Sequence, residues 1–423
     1  MPERFDRPPG AEREPGAKEK IETSAEAPEA GTVETERAAA KGELESAESA
    51  AAKVAADINA AREEFEGDAQ AEEDLDALFT QSERATERMA EIAAELERSE
   101  RIADLNAAVV EGTQAAIDLL RSRFEDTKDE KDRLPFHGAD HSVGVAVRTR
   151  KILEAIERGA PELVDERTVE IGQLAAIFHD SVQVWEPNTV QDGEFTKVLR
   201  KRLASPADAK ASMGSEGYIG NEAASAAEAV GFFDRYNEQR RADGLPEVFT
   251  EEDKEVVRRA IDATIPGFDP EKGTVVQPRL VKESAVITRA VALADLGEAG
   301  MNPEGYLEGG DALFREENLD VLDAAKDPSS LSEAQKDYMR KRMLGWSKFQ
   351  PKFAAGRKAR LEQELEGLPE AAAAEVRKLF DKFDETVAAA SAVAARRETM
   401  SFEEMLRDMG YGEGEEEPQS AVA

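Results

Sequence analysis

The chain contains three histidines, and the residues around them have the chemistry to hold a metal ion. His137 and His141 are four residues apart in LPFHGADHSVGV, whereas His179 ends an apolar run in LAAIFHDSVQVW and is followed directly by Asp180. A buried imidazole or carboxylate is unfavourable unless a hydrogen-bonding neighbour, solvent or a metal ion satisfies it. Imidazole nitrogens and carboxylate oxygens together suit a divalent cation that keeps open coordination positions for water.

A further polar residue, Asp295, lies far downstream in AVITRAVALADLGEAG, where it interrupts a predicted helix that is apolar on nearly every face. A lone carboxylate in such a helix would be uncompensated. We therefore expect side chains from three buried helices to converge on one divalent ion, with the ligands His141, His179, Asp180 and Asp295. A hydrogen-bonded structural cluster inside a helical bundle is the alternative interpretation of these residues.

The surrounding elements place these side chains at helix ends. Pro135 and Gly138 keep the chain from being helical early, and Asp140 is the predicted N-cap of the next helix. His141 then falls in the first helical turn, and His137 lies in the approach loop just outside it. His179 and the aspartate after it close the following apolar helix, where both side chains can point into one cavity.

The composition limits the other functions that are open to the chain. There are 91 acidic and 55 basic residues, so the formal net charge is −36, which disfavours non-specific binding to nucleic acid and to anionic membranes. No cysteine is present, which leaves oxygen and imidazole as the expected metal ligands. The start, MPERFDRPPG, does not resemble a signal peptide, and no run approaches the roughly 20 apolar residues of a membrane span. We expect a cytoplasmic protein that does not bind membranes.

The 423 residues divide by composition, and 40% of them are hydrophobic, enough for at least one core. Helical periodicity dominates and strand-like alternation is scarce, so we predict an all-α fold with long helical extensions and disordered termini. The extension before the central domain favours a helical arm or packing partner over a coiled-coil dimer, because its heptad pattern is not sustained. The predicted regions are a disordered acidic segment (1–45), a helical extension (46–125), a central domain (126–360), a C-terminal helical segment (361–409) and a flexible acidic tail (410–423).

The order His141, then His179 with Asp180, then Asp295 resembles the H…HD…D pattern of the HD-domain metal-dependent phosphohydrolases. The leading FHGADH is similar to the YHNxxH segment of several branches of that superfamily, including the cyclic-nucleotide phosphodiesterases. An HD-domain-like helical bundle and a metal-dependent activity are what this resemblance implies.

Three further segments carry the same resemblance, which covers about 135 to 360. NEAASAAEA, at 221–229, is similar to the NExxSA segment of small HD phosphohydrolases, and ADLGEAG is similar to the usual surroundings of the last aspartate. WSKFQPKFAAGRKARL, from Trp346, is similar to a helix that often completes the domain.

The chain also departs from the family pattern. Phe136 stands where tyrosine is common, Gly138 stands where asparagine is common, and the segment after IDATIP lacks a histidine that many relatives carry. No additional histidine pair lies between Asp180 and Asp295, which favours one metal ion. A second ion that Asp180 bridges, with Glu222 as a further ligand, is the alternative.

The resemblance implies that the chain hydrolyses a phosphate ester of a nucleotide or similar small molecule with metal-activated water. The metal would be one divalent ion, Mn, Fe, Ni, Mg or Zn, and Asp180 and His137 would be catalytic, the histidine as a general acid for the departing alkoxide. A non-catalytic helical interaction or scaffold protein, which engages a protein partner through its helical extensions, is the alternative function.

Substrate contacts are only weakly marked in the sequence. Lys197 and Arg200 lie in the basic cluster FTKVLRKRL, which would meet an anionic substrate or form a solvated helix face. Arg148 lies two helical turns after His141 and would contact phosphate or a surface carboxylate. Glu222 would act in the site, or it would favour the positive end of a helix that Asn221 caps.

Overall fold

The computed structural model describes residues 41–56, 69–213 and 218–411. Most of the predicted disordered segment 1–45 and of the predicted tail 410–423 therefore lies outside the described residues. Within them, residues 41–45 are helical, and Gly410 and Tyr411 form a turn in which Tyr411 is buried. The chain divides into two compact units between Glu100 and Arg101.

The first unit is helical wherever it is described. It contains helix α1 (41–56) and the first part of helix α2 (Ala69–Leu120), which continues past Glu100 into the second unit. Alanine and glutamate are frequent in both helices, as expected of sequences with high helical propensity. Of the helical extension predicted for 46–125, residues 46–56 and 69–125 are helical, and 57–68 lie outside the described residues.

The second unit is also mainly helical, which confirms the all-α prediction. No described helix is both long and apolar enough to cross a membrane. Short 3₁₀ or π turns occur at Arg121–Glu125, Glu130–Asp132, Pro161–Leu163 and Pro328–Ser330. The helices after α2 are α3 (Ala139–Gly159), α4 (Glu166–Phe178), α5 (Pro206–Met213), α6 (Asn221–Ala242), α7 (Glu251–Asp262), α8 (Val286–Asp295), α9 (Glu298–Met301), α10 (Pro303–Glu317), α11 (Leu319–Lys326), α12 (Glu333–Glu364), α13 (Glu370–Leu379), α14 (Phe383–Arg397) and α15 (Phe402–Asp408).

Two small antiparallel strand pairs accompany the helices. Strand β1 (Trp185–Asp192) pairs with β2 (Phe195–Arg202), and strand β3 (Gly267–Asp269) pairs with β4 (Thr274–Val276). The basic cluster FTKVLRKRL is therefore a strand, and its interpretation as a solvated helix face was wrong. Gly193 closes the first hairpin at a φ of 63°, a conformation that glycine adopts without strain.

One core joins the central helices to the C-terminal ones. The side chains of α3, α4, α6, α7 and α8 share a buried apolar cluster with residues of α13 and α14, such as Val376 and Phe383. Residues from the region 361–409 therefore pack in the same core as the helices that carry the histidines. Small alanine side chains, including Ala155, Ala175 and Ala372, allow these helices to approach closely.

The contact between α3 and α13 yields a stability prediction at Gly159. A Cβ atom there would lie 2.5 Å from the Cα of Ala372, so the two backbones would have to separate. We expect Gly159→Ala to lower the free energy of unfolding by about 1–3 kcal/mol in urea denaturation. Gly345→Ala is the control, because that exposed helical glycine has nothing within 4 Å and should gain up to about 1 kcal/mol. Equal stability of the two variants would contradict the prediction.

Candidate metal centre

Helix α3 begins two residues earlier than the sequence suggested. Its N-cap is Gly138, in an extended conformation, so the prediction of Asp140 as N-cap was wrong. The Glu125 side chain, which lies outside α3, accepts the Ala139 N–H at 2.8 Å and so caps the helix. His141 nevertheless lies in the first helical turn, as predicted, with its imidazole turned inward and its side chain only 6% exposed.

Helix α4 ends at Phe178, and His179 is its C-cap residue. The His179 ring donates from Nδ1 to the carbonyl oxygen of Ala176 at 2.7 Å, which fixes the tautomer. In the neutral imidazole the lone pair is therefore on Nε2, which faces the interior of the unit. Asp180 follows in the turn and is also buried.

Asp295 is the last residue of α8. The prediction that it interrupts a helix was therefore wrong, because the helix ends at this residue. The apolar positions before it, Ala290 to Ala294, are buried in the core and hold the end of the helix in place. The carboxylate thus emerges where the helix stops, and its side chain is 16% exposed.

The four predicted ligand residues converge. His179 Nε2 lies 3.1 Å from Asp180 Oδ2 and 3.5 Å from Asp295 Oδ1, and His141 Nε2 lies 3.6 Å and 3.5 Å from the same two oxygens. Atoms that bind one ion at about 2.1 Å and at right or tetrahedral angles are about 3.0–3.4 Å apart, close to these separations. One atom from each of His141, His179 and Asp295 lies within 4.8 Å of the other two.

The arrangement of the histidine nitrogens and the carboxylates suits a bound cation better than a set of hydrogen bonds. Among the described residues, neither His141 Nε2 nor His179 Nε2 has a hydrogen-bond partner, although both are buried. Unpartnered buried nitrogens are unfavourable, and a divalent ion between the imidazoles and carboxylates would satisfy them. The set of two nitrogens and two carboxylates is typical of such an ion.

The pKa shifts of the predicted ligands also favour a positive charge at this site. Burial lowers the pKa of His141, which leaves its imidazole neutral and able to donate a lone pair. Burial also disfavours the charged form of His179, but the Asp180 and Asp295 carboxylates outweigh it and raise the His179 pKa well above its usual value. Burial alone would raise the pKa of Asp180, yet the neighbouring His179 and His137 hold it well below its usual range. Both carboxylates thus favour a positive charge here, which a proton or a cation can supply.

Three polar side chains that the sequence analysis missed orient the carboxylates. Gln183 donates to Asp180 Oδ1 at 2.6 Å, and Arg202 Nη2 lies 3.4 Å from the same oxygen. Gln277 donates to Asp295 Oδ2 at 3.1 Å. The other oxygen of each carboxylate is therefore directed at the imidazoles. Partners of this kind set the orientation and affinity of metal ligands.

His137 is held by Glu316, another residue that the sequence analysis missed. Its Nδ1 lies 2.5 Å from Glu316 Oε1, and Glu316 Oε2 accepts the backbone N–H groups of Phe136 and His137 at 3.1 and 3.2 Å. His137 Nε2 points toward the metal ligands and lies 3.9 Å from Asp180 Oδ2. The histidine is thus close to the cluster but is fixed by its own carboxylate.

Glu222 lies beside the cluster at the start of α6. The N-cap of that helix is Gly220, at a φ of 99°, so the prediction that Asn221 is the cap was wrong. Asn221 instead accepts the Val184 N–H at 2.8 Å and so anchors the loop after α4. Burial raises the pKa of Glu222 to about 7, its Oε2 has no partner among the described residues, and its Oε1 lies 3.7 Å from Arg202.

The other predicted substrate residues contact protein groups. Arg148 is buried, donating to the Ala294 carbonyl at 2.8 Å and to Glu298 at 2.9 Å. Arg200 is buried as well, and donates to the Glu316 carbonyl at 2.9 Å. Lys197 lies on β2, 3.7 Å from Asp192. Among the described residues, none of these three basic side chains lines the cavity at the cluster.

A cavity of about 330 Å³ opens at the cluster. Its polar end is formed by His137, Asp180 and Asp295 together with Arg202 and Glu222. The volume is sufficient for a small organic molecule. The two carboxylates among the predicted ligands therefore border a space that a small molecule can enter.

In comparisons with known proteins, no protein-family model, no curated protein and no solved structure matches the chain.

Proposed function

We propose that the chain is a metal-dependent phosphohydrolase of the HD type, which hydrolyses a phosphate ester of a nucleotide or similar small molecule. The main support is the pair of buried, unpartnered nitrogens, His141 Nε2 and His179 Nε2, which face two carboxylates at the edge of a cavity. The order of these residues in the sequence, which resembles the HD pattern, is the second support.

His141, His179, Asp180 and Asp295 would hold one divalent ion, Mn, Fe, Ni, Mg or Zn. When bound, such an ion supplies Lewis acidity, which lowers the pKa of water and polarises a phosphoryl oxygen. Glu222 borders the same cavity, and it would take part if a second ion binds.

Proton transfer to the leaving group would fall to His137. Hydrolysis forms a bond from the water oxygen to phosphorus and breaks the bond from phosphorus to the ester oxygen, which departs as an alkoxide that needs a proton. The His137 Nε2 atom borders the cavity, and Glu316 on the other side of the ring stabilises the protonated imidazole. Glu316 is thus a positioning residue that acts through His137.

Metal analysis and turnover test the proposal together. We expect the purified protein to retain about one divalent ion per chain and to hydrolyse members of a panel of phosphomonoesters, cyclic nucleotides and nucleotides, with more turnover when Mn²⁺ is added. A protein that binds no divalent ion and turns over no member of the panel would favour the scaffold alternative.

A separate prediction concerns Glu316. Glu316→Gln keeps the acceptor for the two backbone N–H groups but removes the charge that stabilises protonated His137, so kcat should fall about 100-fold with little change in KM or metal content. In a His137→Gln background the same substitution should have almost no further effect. Independent, multiplicative losses in the double variant would show that Glu316 acts through the fold and not through His137.

A further inference from the structure

Aromatic side chains form the wall of the cavity that faces the ligand cluster. Trp346, Phe349 and Phe353 lie along one face of α12 at helical spacing, and all three line the cavity. Phe268 joins them from the β3–β4 hairpin, whereas Phe136 lies at the ligand cluster, with its ring centroid 4.6 Å from that of His141. The cavity lining therefore combines charged groups with an aromatic surface.

The wall presents ring surface without free polar groups of its own. Trp346 donates its Nε1–H to the Gly310 carbonyl at 2.9 Å, and Tyr306 donates its hydroxyl to the Gln350 carbonyl at 2.7 Å. The hydrogen-bonding atoms of both side chains are thus already used. Phe268 lines the cavity and is 59% exposed, so its ring is accessible to a ligand.

The charges around the cavity favour one phosphate over several. Among the described lining residues there is one guanidinium, that of Arg202, against five carboxylates, those of Asp180, Glu222, Asp295, Glu298 and Glu317. Arg202 already donates to Gln183 and lies beside Asp180. A second or third phosphate would bring charge that no further cationic side chain of the lining neutralises.

We propose that the substrate is a phosphomonoester whose alcohol part carries an aromatic or similarly apolar, uncharged group, and that Trp346, Phe349 and Phe268 bind this group. The inference rests on the proposed function for the position of the phosphate. It adds to that function the chemical class of the substrate's alcohol part and the number of phosphate groups in the substrate.

Matched substrates test the inference on the metal-loaded full chain. The leaving alcohols of 2-phenylethyl phosphate and ethyl phosphate have similar acidity, so the chemical step is alike and the aromatic ring is the main difference. We expect kcat/KM to be at least about tenfold higher for the phenylethyl ester, and 2-phenylethyl diphosphate to be the poorer of the two phenylethyl substrates. Equal kcat/KM for the two monoesters, or a preference for the diphosphate, would overturn the inference.

Two variants locate the effect. Phe268→Ala and Phe349→Ala should each reduce the ratio of the two kcat/KM values at least about threefold, since each removes apolar contact area. Phe268 is exposed enough that its truncation should not impair folding. Phe195→Ala is the matched control, because that phenylalanine stacks on Tyr338 outside the cavity lining and its loss should leave the ratio unchanged. An unchanged ratio in both cavity variants would contradict the assignment of the wall.

A binding measurement separates this inference from the proposed function. Trp346 lies in the wall, and the chain has one other tryptophan, so Trp185→Phe makes it the only tryptophan fluorophore. Titration with 2-phenylethylphosphonate should change its fluorescence at concentrations at least about tenfold lower than ethylphosphonate. Such binding without turnover of any ester would retain the subsite and reject the hydrolase. Turnover of both monoesters at equal efficiency, with no selective binding, would do the reverse.

Discussion

Asp180→Asn is expected to remove both the bound metal ion and turnover. The substitution keeps the size of the side chain and the contact with Gln183, but it deletes the charge that faces both imidazoles at 3.1 and 3.6 Å. Loss of a charged ligand should weaken metal affinity at least about 100-fold and reduce kcat at least about 1,000-fold. Metal content after exhaustive dialysis and initial rates with 2-phenylethyl phosphate check the two effects separately.

Asp140→Asn is the control for this experiment. Asp140 is exposed in the first turn of α3, one residue before a ligand, and carries the same charge. Its amide variant should retain the metal and most of the activity. If Asp180→Asn kept its metal content while its fold was intact, the four residues would be a hydrogen-bonded cluster and the scaffold alternative would be favoured.

The sequence predicted the members of the cluster because their residue types conflict with their surroundings. His179, Asp180 and Asp295 follow apolar runs that had to be buried. One shared metal ion was therefore the simplest explanation for all three polar side chains. The same hydrophobic runs predicted α3, α4 and α8 as helices, and the structure confirms them. Hydrophobicity and helical periodicity are properties of a short stretch of sequence, which is why the sequence alone reveals them.

The supporting residues could not be predicted, because their partners are remote in the chain. Glu316 meets His137 across 179 positions, and Gln277 meets Asp295 from a loop that has no regular pattern. Arg202 belonged to a basic cluster that had the composition of a helix face. The local signal for a strand was its β-branched and aromatic residues, Phe195, Thr196 and Val198. Long-range pairing decides which residue of such a cluster reaches the site.

Helix α8 is fixed at both ends by buried arginines, and this arrangement determines where Asp295 lies. Arg148, from α3, donates to the carbonyl of Ala294, the residue before Asp295. Near the other end, Arg289 is 1% exposed and donates to the carbonyl oxygens of Val281, Lys282 and Glu364. Arg148 therefore positions a ligand residue, and it pairs with a carboxylate, that of Glu298, which was the alternative to a phosphate contact.

Arg289→Leu should produce the largest loss of stability among the substitutions considered. Leucine fills much of the volume, but three buried carbonyl oxygens lose a charged donor, so the free energy of unfolding should fall by about 3–5 kcal/mol. Urea denaturation measures this change. Arg258→Leu, on exposed helix surface with only a 3.8 Å ion pair to Glu255, should change stability by less than about 0.5 kcal/mol.

The same Arg289 variant tests whether the anchoring of α8 matters for the metal centre. If the N-terminal part of the helix shifts, Asp295 moves away from His141 and His179, and metal affinity should fall even at temperatures where the chain stays folded. Saturating Mn²⁺ should then recover part of the lost stability, because an ion that binds only the folded state favours it by mass action. A variant as stable as the wild type would mean that its three carbonyls find other donors, and Arg289 would not fix the helix.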